Sequence, residues 1–143
     1  MTNIVTVDVP EFTEERSEYD TKYRYTAKWD TKRGDFVRDG ANRIVACSGE
    51  EGFALWCFKV AQTERYACLA YPNDLGVEIE AALGEDNKKM VESMVERTIT
   101  EALKVNPRTE WISNFEFTWD ADELHGTFLV KGIAWDSIFQ IAL

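Results

Sequence analysis

His125 is the only histidine in the 143-residue chain, and it stands beside Gly126 inside an alternating apolar pattern. A Ser-His-Asp or Cys-His relay needs an imidazole held between a nucleophile and a carboxylate, and nothing near His125 in the sequence supplies both. Carboxylates are the richer resource, with 26 Asp and Glu. In so acidic a chain some pair falls at the roughly 5 to 10 Å spacing of glycoside hydrolysis by chance alone. An acid for that work also needs an apolar pocket that raises its pKa, and no Asp or Glu is singled out by its neighbours. Cys47, Cys57 and Cys68 are an odd number and too widely spaced for a C-x-x-C pair, so they predict neither a disulfide framework nor a zinc knuckle. Cys57 falls on a helical apolar stripe and Cys68 in an apolar run, so both are expected as buried thiols of a reducing compartment. No Walker loop, G-x-G-x-x-G or H-E-x-x-H occurs. No catalytic residue, metal site or cofactor is expected, and the chain reads as a non-enzyme.

What remains is a surface chemistry of charge. The net charge is -10, yet residues 1–20 hold one Arg against six acids and residues 21–45 hold seven Lys or Arg against three Asp. Such runs are ordinarily solvated faces; their other use is complementary docking that fixes register and rejects wrong partners. Nucleic acid is an unsuitable partner, because affinity for phosphates needs a basic footprint. No apolar run approaches a membrane span, and residues 1–20 have no basic start followed by an apolar stretch, so a soluble protein without a secretory signal is expected. With 45% hydrophobic and 13% aromatic residues the chain can bury a core as one domain over residues 21–143, behind an acidic extension over residues 1–20.

The elements that would position any docking surface follow from periodicity. Val5, Val7 and Val9 alternate ahead of the acidic run. Tyr23, Tyr25, Ala27 and Trp29 then alternate with Lys22, Arg24, Thr26 and Lys28, predicting a half-buried strand with a basic outer face and a hairpin turn over residues 30–34. Ser48-Gly49-Glu50-Glu51 has the form of a capping box and opens a helix over about residues 49–62, with Phe53, Trp56, Cys57 and Val60 on one face and Leu55, Phe58 and Ala61 beside them. Residues 66–71 read as a short strand, and Pro72-Asn73-Asp74 with Gly76 as a turn. A short helical segment is expected near residues 77–83. A helix over about residues 87–105 carries Val91, Val95, Ile99 and Leu103 beside Met90, Met94, Thr98 and Ala102, and Pro107 stops it. The period then becomes two: Trp111, Phe115, Phe117 and Trp119; Leu124, Phe128 and Val130; Phe139, Ile141 and Leu143. These predict an antiparallel three-stranded meander. The fold class is therefore α+β, with an N-terminal β-hairpin and two main helices packed on a C-terminal sheet. The last strand holds neither Pro nor Lys, so at a sheet edge it would be open to pairing with another chain.

Thr63-Glu64-Arg65-Tyr66, the turn before Glu78 and Glu80, the long helix and Asn106-Pro107-Arg108 together resemble the baseplate wedge or tail sheath initiator family of contractile phage tails, prophages and tail-like bacteriocins. The resemblance spans about residues 44–143, and more weakly the hairpin from residue 22. Members typically carry Glu-Pro-Arg where this chain has Asn106-Pro107-Arg108, which puts in doubt any ion pair made by that acid. The resemblance implies a structural baseplate protein, six copies around the tail, that starts sheath polymerisation and ties sheath to wedge, with tube or hub proteins as further neighbours. It implies β-strand addition with sheath subunits, a baseplate location and assembly in the bacterial cytoplasm. Phe139, Gln140, Ile141 and Leu143 are then candidate sheath contacts, Arg108 a candidate either for organising the helix-to-sheet corner or for a wedge contact, and Lys22, Arg24 and Lys28 a second docking surface. The alternatives are an acidic host-directed adaptor or inhibitor and, further off, a baseplate-associated hydrolase.

Overall fold

The apolar rows of the long helix decide the architecture. In the computed structural model, which describes residues 25–143, they form α3 (Lys88–Lys104), with Val91, Val95, Thr98, Ile99, Ala102 and Leu103 buried. Asn87 caps it, its side chain accepting from the Lys89 amide at 3.0 Å and satisfying one of the orphan donors of the first turn. Met90, in the expected row, is exposed. Helix α1 (Gly49–Ala61) buries Phe53, Leu55, Cys57, Val60 and Ala61. The expected capping box is absent there: Gly49 takes a φ of +63°, and the Ser48 hydroxyl makes no cap bond. A five-residue helix, α2 (Ile79–Leu83), lies against α3.

Before the helices run four two-residue strands, β1 (Thr26–Ala27), β2 (Trp29–Asp30), β3 (Asp35–Phe36) and β4 (Ala46–Cys47). They pair antiparallel as β1 with β4 and β2 with β3. The turn between β2 and β3 is built as the sequence suggests: the Asp30 carboxylate accepts from the Lys32 and Arg33 amides at 2.9 and 3.2 Å, and Gly34 takes the positive φ that closes the hairpin. Tyr25 does not share the half-buried side of Ala27 and Trp29; it is exposed. The expected strand near Val5 and the basic pair Lys22 and Arg24 lie outside the described residues.

The C-terminal meander is present as β5 (Thr109–Asp120), β6 (Glu123–Gly132) and β7 (Ile138–Ala142), antiparallel in the order β5-β6-β7. One face packs on the helices through Ile112, Phe115, Phe117, Phe128, Val130, Phe139 and Ile141. Trp111 departs from its expected row. Between Ser113 and Glu116 the register slips by one, with Asn114 at a φ of +54°. Such a bulge reverses the parity of the residues just before it, from Trp111 to Ser113, so Ile112 points into the core and Trp111 sits across from Lys131 on the other face.

Residues 66–71 form turns and no strand. The ends of this loop are pinned: the Arg65 amide donates to the Val77 carbonyl at 2.7 Å, and the Val77 amide to the Thr63 carbonyl at 2.8 Å. Gly76, at a φ of +99°, approaches so closely that a Cβ there would lie 2.5 Å from the Thr63 carbonyl oxygen. The pinned base leaves the apolar run no partner strand, and Tyr66, Leu69, Tyr71 and Cys68 stay exposed. The expectation of a buried Cys68 thus fails with the strand that would have buried it.

Candidate functional site: the open edge of the sheet

Strand β7 pairs only with β6 among the described residues, so it forms one edge of the sheet. The Leu143 amide donates to the Gly126 carbonyl at 2.8 Å, which turns the backbone groups of Leu143, Ile141 and Phe139 toward β6. Alternate residues direct theirs the other way, so the open edge is carried by the N–H and C=O groups of Ile138, Gln140 and Ala142. The candidate residues divide accordingly. Phe139, Ile141 and Leu143 pack their side chains on the core, and Gln140 is exposed with its backbone facing outward.

The other edge is defended and β7 is not. Strand β5 carries Glu110, Glu116 and Asp120 and the bulge at Asn114, devices that discourage pairing with a foreign strand. Strand β7 is apolar apart from Gln140 and has no bulge.

The edge opens onto a groove of about 660 Å³. Phe139, Gln140, Ile141, Ala142 and Leu143 form one wall, α1 supplies Ala54, Leu55 and Phe58, and the hairpin contributes Lys28, Trp29, Thr31 and Lys32. Lys28, expected on a separate surface, therefore belongs to the same concavity as the last strand. Its ammonium lies 2.8 Å from the Glu51 carboxylate, and that bond and charge raise its pKa. Cys47 also lines the groove, and burial pushes its thiol up. Nothing in the spacing of residues 28, 58 and 140 announces that they meet, because the groove is made by three elements distant in sequence.

Arg108 lies elsewhere, in a cavity of about 290 Å³ with Tyr25, Trp56 and Lys59. Leu55 lines both cavities, so they flank α1. The corner that holds Arg108 is fixed by Asn106. Its side chain accepts from the Arg108 amide at 3.0 Å and its carbonyl from the Thr109 amide at 3.0 Å, while Thr109 Oγ1 donates to Leu103 at 2.7 Å. A short amide at position 106 thus serves the local backbone. The Ile133 amide donates to the Arg108 carbonyl at 2.8 Å, tying the corner to the start of the β6–β7 connection.

Glu64 and Arg65 have structural work in the pinned loop. Glu64 accepts from the Ile79 amide at 3.2 Å, and the Arg65 guanidinium donates to the Gly76 carbonyl at 3.1 Å and lies 3.7 Å from Glu78. His125 is half exposed on the outer sheet face, 3.8 Å from Glu123. Among the described residues no cluster of His, Cys, Asp and Glu could hold a metal ion, and no helix is long and apolar enough to cross a membrane.

Comparison with curated proteins finds no match to the chain. Comparison with protein families finds one over residues 25–134, a span that covers the hairpins, the three helices, β5 and β6 and ends just before β7. The matched family is the contractile injection system sheath initiator, and the chain belongs to it.

Proposed function

We propose that the protein starts sheath polymerisation by accepting an extended sheath segment as a fourth strand beside β7. One observation carries this reading: an undefended apolar edge, with the backbone groups of Ile138, Gln140 and Ala142 turned outward, borders a groove of about 660 Å³. Main-chain bonding supplies affinity in such an addition, and the alternate side chains supply selectivity. Strand β7 has five residues, so the added segment pairs over roughly 17 Å. On the far side of α1, Arg108 and Lys59 present cationic groups beside Trp56, and this corner is the wedge contact in our reading. Six copies around the tail, at the junction of baseplate and sheath, and a structural task without catalysis are part of this reading, which membership of a sheath initiator family supports.

Gln140→Pro is the direct test. Proline removes the N–H that faces the incoming strand and leaves the bonds to β6 in place. In a complementation experiment, particles carrying it are expected to show baseplates and tubes without sheath, while the purified variant keeps its helical circular dichroism. Normally sheathed particles would rule out β7 as the initiating edge.

A further inference from the structure

We propose that the groove beside β7 selects an extended segment that is apolar at alternate positions and places an acidic side chain opposite Lys32. This rests on the strand addition proposed above and adds to it the chemistry of the partner. A strand added to β7 continues the alternation of the sheet. Its inward side chains extend the row of Phe139, Ile141 and Leu143 and come to rest on Ala54, Leu55 and Phe58. A polar or charged residue at those positions loses water without gaining a partner, so they require apolar side chains.

The hairpin wall sets the second condition. Among the described residues three charged side chains line the groove, and of these Lys28 and Glu51 satisfy each other at 2.8 Å. Lys32 makes no ion pair among the described residues, although it stands on the same wall. Among the described residues the side chains of the groove thus carry one more positive charge than negative, on a protein of net charge -10. A strand lying in it takes water from the Lys32 ammonium. An acid opposite restores the lost solvation and adds attraction, a neutral residue leaves the ammonium poorly solvated, and a cation is rejected. Lys32 is exposed, and the Asp30 carboxylate that shapes its turn bonds its backbone amide. The side chain is therefore free to change without loss of the hairpin.

The test measures binding of the full chain to the unpolymerised sheath protein of the same particle, for the parent, Lys32→Gln, Lys32→Glu and Gln140→Pro, at low and high salt. Lys32→Glu is expected to weaken binding by about tenfold or more and Lys32→Gln by less; the contribution of this position is weakened by salt in the parent, is lost in Lys32→Gln, and becomes a repulsion that salt relieves in Lys32→Glu. Reversing the acidic residue of the sheath segment should restore binding to Lys32→Glu. Parent-like affinity in Lys32→Glu together with loss of binding in Gln140→Pro would overturn the charge selection and leave the strand addition standing. Parent-like affinity in Gln140→Pro would remove the strand addition itself. Hydrogen exchange on the isolated chain gives a further check: Gln140 and Ala142 amides should exchange freely and become protected only with sheath protein. Protection in the isolated chain would mean that the groove already holds another segment of this chain or of a second copy, and the proposal would fall.

Discussion

Gly132→Ala is expected to destabilise the protein and displace β7 although it adds one methyl group. Gly132 is the last residue of β6, and a Cβ built there would lie 2.6 and 2.8 Å from the Trp135 ring atoms Cε3 and Cζ3, and 3.3 Å from Phe53. Carbon atoms in contact prefer about 3.5 to 4.0 Å, so the indole must retreat by nearly an ångström. It has little room: its ring centroid lies 5.3 Å from that of Phe53, which is fully buried and itself stacks on Trp56 at 6.4 Å. Overpacking of this kind costs about 1 to 3 kcal/mol, which in a domain of this size lowers Tm by roughly 2 to 12 °C. Trp135 belongs to the connection from β6 to β7, so its displacement shifts the strand on which sheath would assemble. Calorimetry of Gly132→Ala, Trp135→Leu and the double variant checks the mechanism. If the clash is the cause, the double variant loses less than the sum of the singles, because the shorter side chain gives way to the methyl group. A Tm within a degree of the parent, or strictly additive losses, would refute the packing described for this corner.

Three further outcomes are expected. Phe53→Ala should cost about 3 to 5 kcal/mol by denaturant unfolding, and Trp56→Ala, at a partly buried site beside the Arg108 cavity, roughly half as much; equal costs would mean that the two faces of α1 are misassigned. A thiol reagent should modify Cys68 in the native protein and reach Cys47 and Cys57 only on unfolding, since burial pushes both of those thiols up; rapid labelling of all three would contradict the core. Backbone amides that donate to Asp30 and Asp39 hold these carboxyls below the ordinary 3.8. Their contribution to the hairpins is thus present above that value and is lost as pH falls through the lower folded one, so the Lys32 and Arg43 amide resonances should titrate with midpoints below 3.8.

The helices were legible because their apolar rows follow the 3.6-residue period, and α3 in particular keeps four of its core residues at four-residue spacing. Legibility failed where a single backbone conformation overrode the pattern. One residue at positive φ, Asn114, puts Trp111 and Phe115 on opposite faces although the sequence alternates through both. At the start of α1 the Ser-x-x-Glu spacing is present, but the positive φ at Gly49 turns the chain so that the Ser48 oxygen makes no cap bond. The run over residues 66–71 has the composition of a strand; the close approach of Gly76 to Thr63 fixes its ends and denies it a ladder. Residues 28, 32 and 58 and, apart from Gln140, residues 139–143 were each visible as basic or apolar. Their meeting in one groove depends on how the hairpin docks beside α1, and no local spacing encodes that.

The strand addition proposed for β7 places conflicting demands on it, since an edge open to one partner is open to a second copy of itself. The two edges of this sheet resolve the conflict differently. At β5, acids and the Asn114 bulge act along the whole strand and deter any partner. At β7 the deterrent stands off the strand, in the wall of Trp29, Thr31 and Lys32 across the groove. Sheets place neighbouring strands about 4.8 Å apart, so a strand paired with β7 would lie in the groove between β7 and that wall, and any further strand behind it would meet the hairpin. Selectivity is thereby moved from the backbone, which any strand can satisfy, to the shape and charge of the opposite wall. This reasoning predicts that loosening the wall exposes β7 to itself. Asp30→Ala removes the acceptor of the Lys32 and Arg33 amides, and the variant should self-associate in sedimentation at concentrations where the parent does not. Adding Gln140→Pro should reverse that association by removing the donor on which pairing depends. Association that persists with proline at position 140 would arise from another surface and would show that the wall does not guard this edge.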